Sequence, residues 1–154
     1  MNLDTLIEKI QSAISIEYKV PIFREIINSN IGCKEFNRTV RANVKDQIGV
    51  YIWENNINKE ILYIGMAGKV KTNGEFVNHS VKKRLLASRV KDNNGKDIQT
   101  NQYVKNLLNR DNIDEMNIHV FHLKENQIPG YIEAVLLNTF FQENNRLPRY
   151  NSSF

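Results

Sequence analysis

The segment from Gly49 to Gly65 constrains what this chain can fold into more than any other. Two short runs, Gly49-Val50-Tyr51-Ile52-Trp53 and Ile61-Leu62-Tyr63-Ile64-Gly65, are rich in β-branched and aromatic residues. The polar stretch Asn55-Asn56-Ile57-Asn58-Lys59 separates them. Such runs suit a pleated surface and Asn-rich stretches suit turns, so the pair predicts a β-hairpin. If the hairpin centres on Ile57, through an odd-numbered loop, Tyr51 stands opposite Tyr63. Val50, Ile52, Leu62 and Ile64 then line the core face, while the two tyrosines share the other with Trp53, Ile61 and Gly65. Gly65 has no side chain, so a ligand or a neighbouring backbone can approach there. Most such pairs are plain hairpins, and this one alone implies no function.

The flanking sequence supplies helices. Leu3, Leu6, Ile7, Ile10, Ala13 and Ile14 recur at helical spacing over 3–18, with Asp4 or Thr5 as a cap and Pro21 as a stop. Ile22, Phe23, Ile26 and Ile27 suggest a short second helix. Over 33–47, Cys33, Phe36, Val40 and Val44 fit one helical face, and Arg38, Arg41 and Lys45 another. Residues 1–47 are therefore expected to form a helical N-terminal extension, and residues 48–154 the main domain. Gly68 to Asn78 reads as a loop. Ser80 fits as the N-cap of a helix over 80–91, and 98–110 reads as a further helix. Ile118, Val120 and His122 alternate with His119, Phe121 and Leu123, which predicts a strand. Pro129-Gly130 introduces a helix over 131–144, and Pro148 keeps the tail out of one. The expected fold is α/β: a small, mainly antiparallel, three-stranded sheet surrounded by helices.

Charge narrows the partners. The net charge is only +4. Between Lys69 and Asp97, however, eight basic residues face three acidic ones, a local net of +5. A basic stripe favours a phosphate-bearing partner, although most charge runs are simply solvated helix faces. No apolar run approaches the roughly 20 residues of a membrane helix. Asp4 and Glu8 stand where a signal peptide is basic and then apolar. Cys33 is the single cysteine, which leaves no intrachain disulfide and no Cys-based zinc site. A cytoplasmic protein without a membrane partner is expected. Gly65 to Thr72 is not a phosphate-binding P-loop: its glycines are too close, and Val70 follows Lys69 where Ser or Thr would hold magnesium.

Two charged residues border apolar helix faces. Arg84 lies beside Val81 and Leu85, and Glu133 beside Leu136, Leu137 and Phe140. Each reads as a solvent-edge residue, as half of a structural ion pair, or as part of a site.

Taken in order, Gly49-Val50-Tyr51, Tyr63-Ile64-Gly65, the helix with Val81-Lys82-Lys83-Arg84, the helix with Glu133, and Asn151 near the end resemble the GIY-YIG nuclease superfamily over about residues 48–151. The resemblance implies that Tyr51 and Tyr63 are the active-site tyrosines and that Arg84 is the family's arginine. Glu133 becomes the single metal-binding glutamate, for Mg2+ or Mn2+, and Asn151 the asparagine after the last helix. Lys69 is a looser catalytic match. One turn after the arginine, where the family often has His or Tyr, stands Ser88. The general base is therefore open between Tyr51 and His79. A phenol of pKa about 10 is ionised about once in a thousand molecules at pH 7, a deficit of roughly 4 kcal/mol. Arg84, Lys69 and a metal must favour the phenolate by much of that, or Tyr51 only orients water. The implied activity is metal-dependent DNA endonuclease, restriction-type favoured, working as a homodimer on DNA. A repair or junction nuclease and a non-catalytic nucleic-acid-binding module are the alternatives. Nucleic-acid contacts are expected from Lys69, Lys71, His79, Lys82, Lys83 and Arg89, and from Arg38 and Arg41 together with Lys45.

Overall fold

A computed structural model describes residues 2–13, 24–28, 33–77, 80–87, 90–91, 94–124 and 127–152. The elements run α1 (Leu3–Ala13), β1 (Arg24–Asn28), α2 (Cys33–Asn43), β2 (Gly49–Asn55), β3 (Ile61–Ala67), β4 (Lys69–Val70), β5 (Phe76–Val77), α3 (Val81–Leu85), β6 (Val90–Lys91), β7 (Asp97–Ile98), α4 (Thr100–Arg110), β8 (Met116–His122) and α5 (Pro129–Asn144). The expected α/β architecture is present. An antiparallel sheet of order β1-β8-β2-β3 lies among the helices, and two small ribbons, β4–β5 and β6–β7, stand beside it.

The hairpin forms, but not in the expected register. Its loop holds an even number of residues, because Asn55 N–H donates to Glu60 O and Lys59 N–H to Asn55 O, each at 2.9 Å. Lys59 takes the left-handed conformation at φ 62°, and Asn55 Oδ1 accepts from the Ile57 N–H at 2.9 Å. Pairing then steps from Glu54↔Ile61 to Trp53↔Tyr63, which leaves Leu62 as the extra residue of a β-bulge. Tyr51 consequently faces Gly65, not Tyr63. The bulge also exchanges two side chains between faces. Leu62 joins Tyr51 and Trp53, whereas Ile61 packs with Val50, Ile52 and Ile64.

Both faces of the sheet are covered. Val50, Ile52, Ile64 and Phe121 pack under Leu6 and Ile10 of α1 and Ile132, Leu136 and Phe140 of α5. On the other side, Tyr51, Trp53, Ile118 and Val120 meet Phe36 and Val40 of α2, Val81 and Leu85 of α3, and Val104 and Leu107 of α4. Segment 1–47 is thus not a helical annex. It supplies α1 to one layer, α2 to the other, and β1 to the sheet edge, where Ile26 pairs with His119. The short helix expected around Ile26 and Ile27 is a strand. A brief apolar cluster does not separate helix from strand by periodicity, and the open edge of β8 decides it. Ile22 and Phe23 lie outside the described residues, as do 14–18 of the first helix. α1 is capped by Asn2, not Asp4 or Thr5: its Oδ1 accepts from the Thr5 N–H at 2.9 Å.

The helix expected over 80–91 is only one turn long. Ser80 caps α3 as expected, its Oγ accepting from the Lys83 N–H at 3.1 Å. Beyond Leu86 the chain turns away. There Thr100 ties α4 to the end of α3, its N–H donating to Ala87 O at 3.0 Å and its Oγ1 to the same oxygen at 3.2 Å. Ile98 belongs to β7, and α4 starts after it. α5 begins at Pro129, whose fixed φ suits a first helical position, and ends at Asn145 with φ 53°. Among the described residues no helix is long and apolar enough to cross a membrane.

Candidate active site

The two motif glycines are there because something lies against them. A Cβ on Gly49 would sit 2.3 Å from the Phe121 carbonyl oxygen, so the backbone of β8 occupies that space. A Cβ on Gly65 would meet Tyr63 Cε1 at 2.5 Å and the Tyr51 hydroxyl at 2.9 Å. What approaches Gly65 is therefore a pair of phenol rings. The register that parts the tyrosines across the ladder brings them together diagonally, with ring centroids 5.9 Å apart. Tyr63 also lies on Trp53 at 4.8 Å, and Trp53 meets the edge of Tyr150 at 6.2 Å.

Arg84 comes to these phenols from α3, whose start is fixed by three contacts. Val81 N–H donates to Gln47 O at 2.9 Å, Ser80 Oγ accepts from Lys83, and Ser80 also bonds Asp46. With Val81 and Leu85 buried, Arg84 emerges at the stripe's edge, with its guanidinium beside the Tyr51 hydroxyl. The Tyr63 hydroxyl lies close to the same oxygen. Glu133 faces them from α5. Because α5 starts at Pro129, Glu133 stands one turn inside the helix rather than in its first turn, where the dipole would have helped it most. The tail closes the wall. Tyr150 N–H donates to Leu62 O at 2.8 Å, and the Asn151 amide bonds both backbone groups of Ile64. The resulting cleft measures about 540 Å³ and gathers Tyr51, Tyr63, Arg84, Glu133 and Asn151.

Burial dominates the electrostatics. It raises the Tyr51 pKa above the ordinary phenol value, although Arg84, and less strongly Tyr63, pull the other way. Tyr63 is raised by burial and by its neighbour Tyr51. Arg84 is raised, foremost by the Tyr51 oxygen beside it, and stays charged. Burial raises Glu133 above the usual carboxylate value, with Arg84 opposing. Burial thus outweighs the pull of Arg84, so Arg84 alone does not favour the phenolate by the amount a base at Tyr51 needs.

The other expected residues are dispersed. Lys69 and Lys71 are exposed at the β4–β5 ribbon, and neither lines the cleft. Lys83 is exposed, while Lys82 is half-buried and its Nζ donates to Arg41 O at 3.3 Å, which joins the end of α2 to α3. Arg41 is exposed, and Arg38 is exposed beside Glu35, with which it pairs. His79, Ser88 and Arg89 lie outside the described residues. The cleft also includes Trp53, Tyr103 and Tyr150, to which the sequence assigns no site role. The signal for Trp53 was its alternation with Tyr51. Tyr103 and Tyr150 carried none, because their place depends on how α4 and the tail fold back.

Glu133 is the acidic residue of the cleft among the described residues, and no group of three or more His, Cys, Asp or Glu occurs among them. A single hard carboxylate oxygen fits magnesium or manganese that keeps waters and takes substrate phosphate oxygens; it does not suit tetrahedral zinc. Comparison of the chain with protein-family models, with curated proteins and with solved structures finds no match.

Proposed function

We propose that this cleft is the active site of a divalent-metal-dependent endonuclease of GIY-YIG type that hydrolyses DNA phosphodiester bonds. The observation that carries the reading is the convergence of Tyr51, Tyr63, Arg84 and Glu133, drawn from two strands and two helices, in one cleft. A phosphodiester needs a fixed donor for its developing negative charge, an oriented water and a stabilised leaving oxygen. Arg84 offers a permanently charged fork to the phosphate oxygens. Tyr51, neutral and held by Arg84 and Tyr63, orients the attacking water through its hydroxyl. Glu133 holds Mg2+ or Mn2+, which when bound polarises the phosphate and steadies the leaving oxygen. For Tyr51 to act as the base itself, Arg84 and the cation together must reverse the effect of its burial.

Duplex contacts come from the basic residues of α2, α3 and the β4–β5 ribbon, with the Lys82 ammonium on the Arg41 carbonyl where α2 meets α3. They make affinity fall with salt. Within this class we favour a restriction-type enzyme. With one site per chain, it cuts both strands as a symmetric dimer. A repair or junction nuclease of the same type is the near alternative. The second reading is a nucleic-acid-binding module that does not cut, which Ser88 favours because it stands where the family often has His or Tyr.

Supercoiled plasmid and branched DNA are incubated with the protein, with and without Mg2+ or Mn2+, beside the Glu133→Ala variant. Discrete metal-dependent fragments, absent with Glu133→Ala, support the restriction-type reading. Cutting confined to branched DNA moves the assignment to junction repair. Binding without cleavage under every condition sinks the hydrolase and leaves the module.

A further inference from the structure

We propose that the aromatic end of the cleft is a nucleobase subsite, in which a base adjoining the phosphate at Arg84 leaves its stack and lies against Trp53, Tyr103 and Tyr150. The inference deepens the nuclease reading and rests on it.

A phosphate group does not need the space present. The cleft, at about 540 Å³, falls within the roughly 300–1,000 Å³ of sites that enclose small organic ligands. Arg84 and Glu133 engage only one part of it. From there a line of rings continues, Tyr51 to Tyr63 to Trp53 to Tyr150, at centroid spacings of 5.9, 4.8 and 6.2 Å. The first two rings belong to the phosphate chemistry. The last two, with Tyr103, have no part in it.

Those rings are held as a platform would be. Tyr150 is half-buried, yet its hydroxyl donates to Asp111 Oδ2 at 2.7 Å and the Arg110 guanidinium lies 5.9 Å from its ring centroid. A ring fixed in advance loses little freedom when a flat ligand stacks on it. Trp53 is 5% exposed, and its indole Nε1–H is buried with no acceptor in the fold. Leaving such a donor unpaired is unfavourable, which marks the Trp53 wall of the cleft as held at a cost to the fold. Trp53 and Tyr51 are almost wholly buried in the core, whereas Tyr103 and Tyr150 pack against that core and stay half-buried at the cleft. Stacking of a base on an aromatic side chain is strong enough to matter and indifferent to which base it is.

The test compares an oligothymidylate of about eight residues, enough to span a single-strand site, with an abasic oligomer of the same length and phosphate charge. Both are titrated in EDTA so that nothing is cut. Trp53 is the single tryptophan of the chain, so quenching of its emission reports from the cleft wall. The expected result is base-dependent quenching, with the thymidylate bound about ten-fold more tightly or better. Tyr150→Ala and Tyr103→Ala each bring its affinity towards that of the abasic oligomer, which itself binds these variants as it does the wild type. Equal affinity of the two oligomers for the wild type, quenching by neither, or binding of neither overturns the subsite. The wild-type comparison stands even if a variant fails to fold. Plasmid cleavage is scored separately. Cutting without base preference removes the subsite alone, and base preference without cutting removes the hydrolase alone.

Discussion

The side-chain amide of Asn151 hydrogen-bonds both backbone groups of Ile64: its Oδ1 accepts from the Ile64 N–H at 3.0 Å, and its Nδ2 donates to the Ile64 carbonyl at 2.8 Å. Asn151 thus does for the open edge of β3 what another strand would do, at the residue between Tyr63 and Gly65. It acts on the site by holding the strand that carries the phenols. Asn151→Ala leaves two backbone groups at a part-buried edge without their partner, and is expected to cost about 1–3 kcal/mol of stability. Chemical denaturation checks this, with cleavage measured well below the melting temperature. Full stability with abolished cleavage would instead give the amide a direct role on substrate.

Gly65→Ala is the sharpest probe of the tyrosine pair. The new methyl would have to displace Tyr63 and the almost fully buried Tyr51 from contacts under 3 Å. Overpacking of this kind typically costs about 1–3 kcal/mol. Cleavage is expected to fall by about 100-fold or more, since small misplacements of reacting groups are that severe. Circular dichroism and a thermal melt establish that the chain still folds, and activity within a few-fold of wild type would show that ring placement is not critical.

Arg84→Lys keeps the charge and removes the fork. If the guanidinium bridges the Tyr51 oxygen and a phosphate, cleavage drops by about two orders of magnitude, as when a single transition-state donor is lost. DNA affinity changes little, since one positive charge remains. Parallel single-turnover and filter-binding measurements separate the two, and equal losses in both would make Arg84 a binding residue only.

His122 sets an acid limit on stability. It is 2% exposed, accepts from the Lys45 N–H at 3.2 Å, and has its pKa lowered to about 4 by burial, with Lys45 and Lys82 adding to the effect. Unfolded, it titrates near 6.5. Above pH 6.5 both states are neutral there and this contribution is whole. As pH falls from about 6.5 to 4, the unfolded chain binds the proton first and stability is lost, at about 1.4 kcal/mol for each unit between the two values. Urea midpoints taken across that window test it. His122→Gln should flatten this limb, and an unchanged pH profile would refute the assignment.

Double replacement of Arg41 and Lys82 by Gln tests the basic face where α2 meets α3. The slope of log affinity against log salt should shrink by up to about 2 if each contacts a phosphate of the duplex. An unaltered slope would place the nucleic acid elsewhere.

Much of the fold is legible in the chain because its determinants are local. Alternation over 49–53 and 117–123 gives two strands their two covered faces, Ser80 caps α3, and the Pro129-Gly130 pair heralds α5. The order of Tyr51, Tyr63, Arg84 and Glu133 likewise named the groups that meet in the cleft. Three things were decided only by tertiary structure. The register of β2 on β3 depends on the Asn55 turn and on a bulge at Leu62, and a single step there changes which residue faces which. The strand at Arg24–Asn28 exists because β8 offers it an edge, not because of its own pattern. The state of Tyr51 is set by how thoroughly α2, α3 and α4 desolvate it against the pull of one guanidinium. Helix caps and strand alternation act over a few residues and can be read along the chain. Desolvation and edge pairing depend on groups far apart in sequence, such as Asn151 and Ile64, and take effect only once the chain has closed around them.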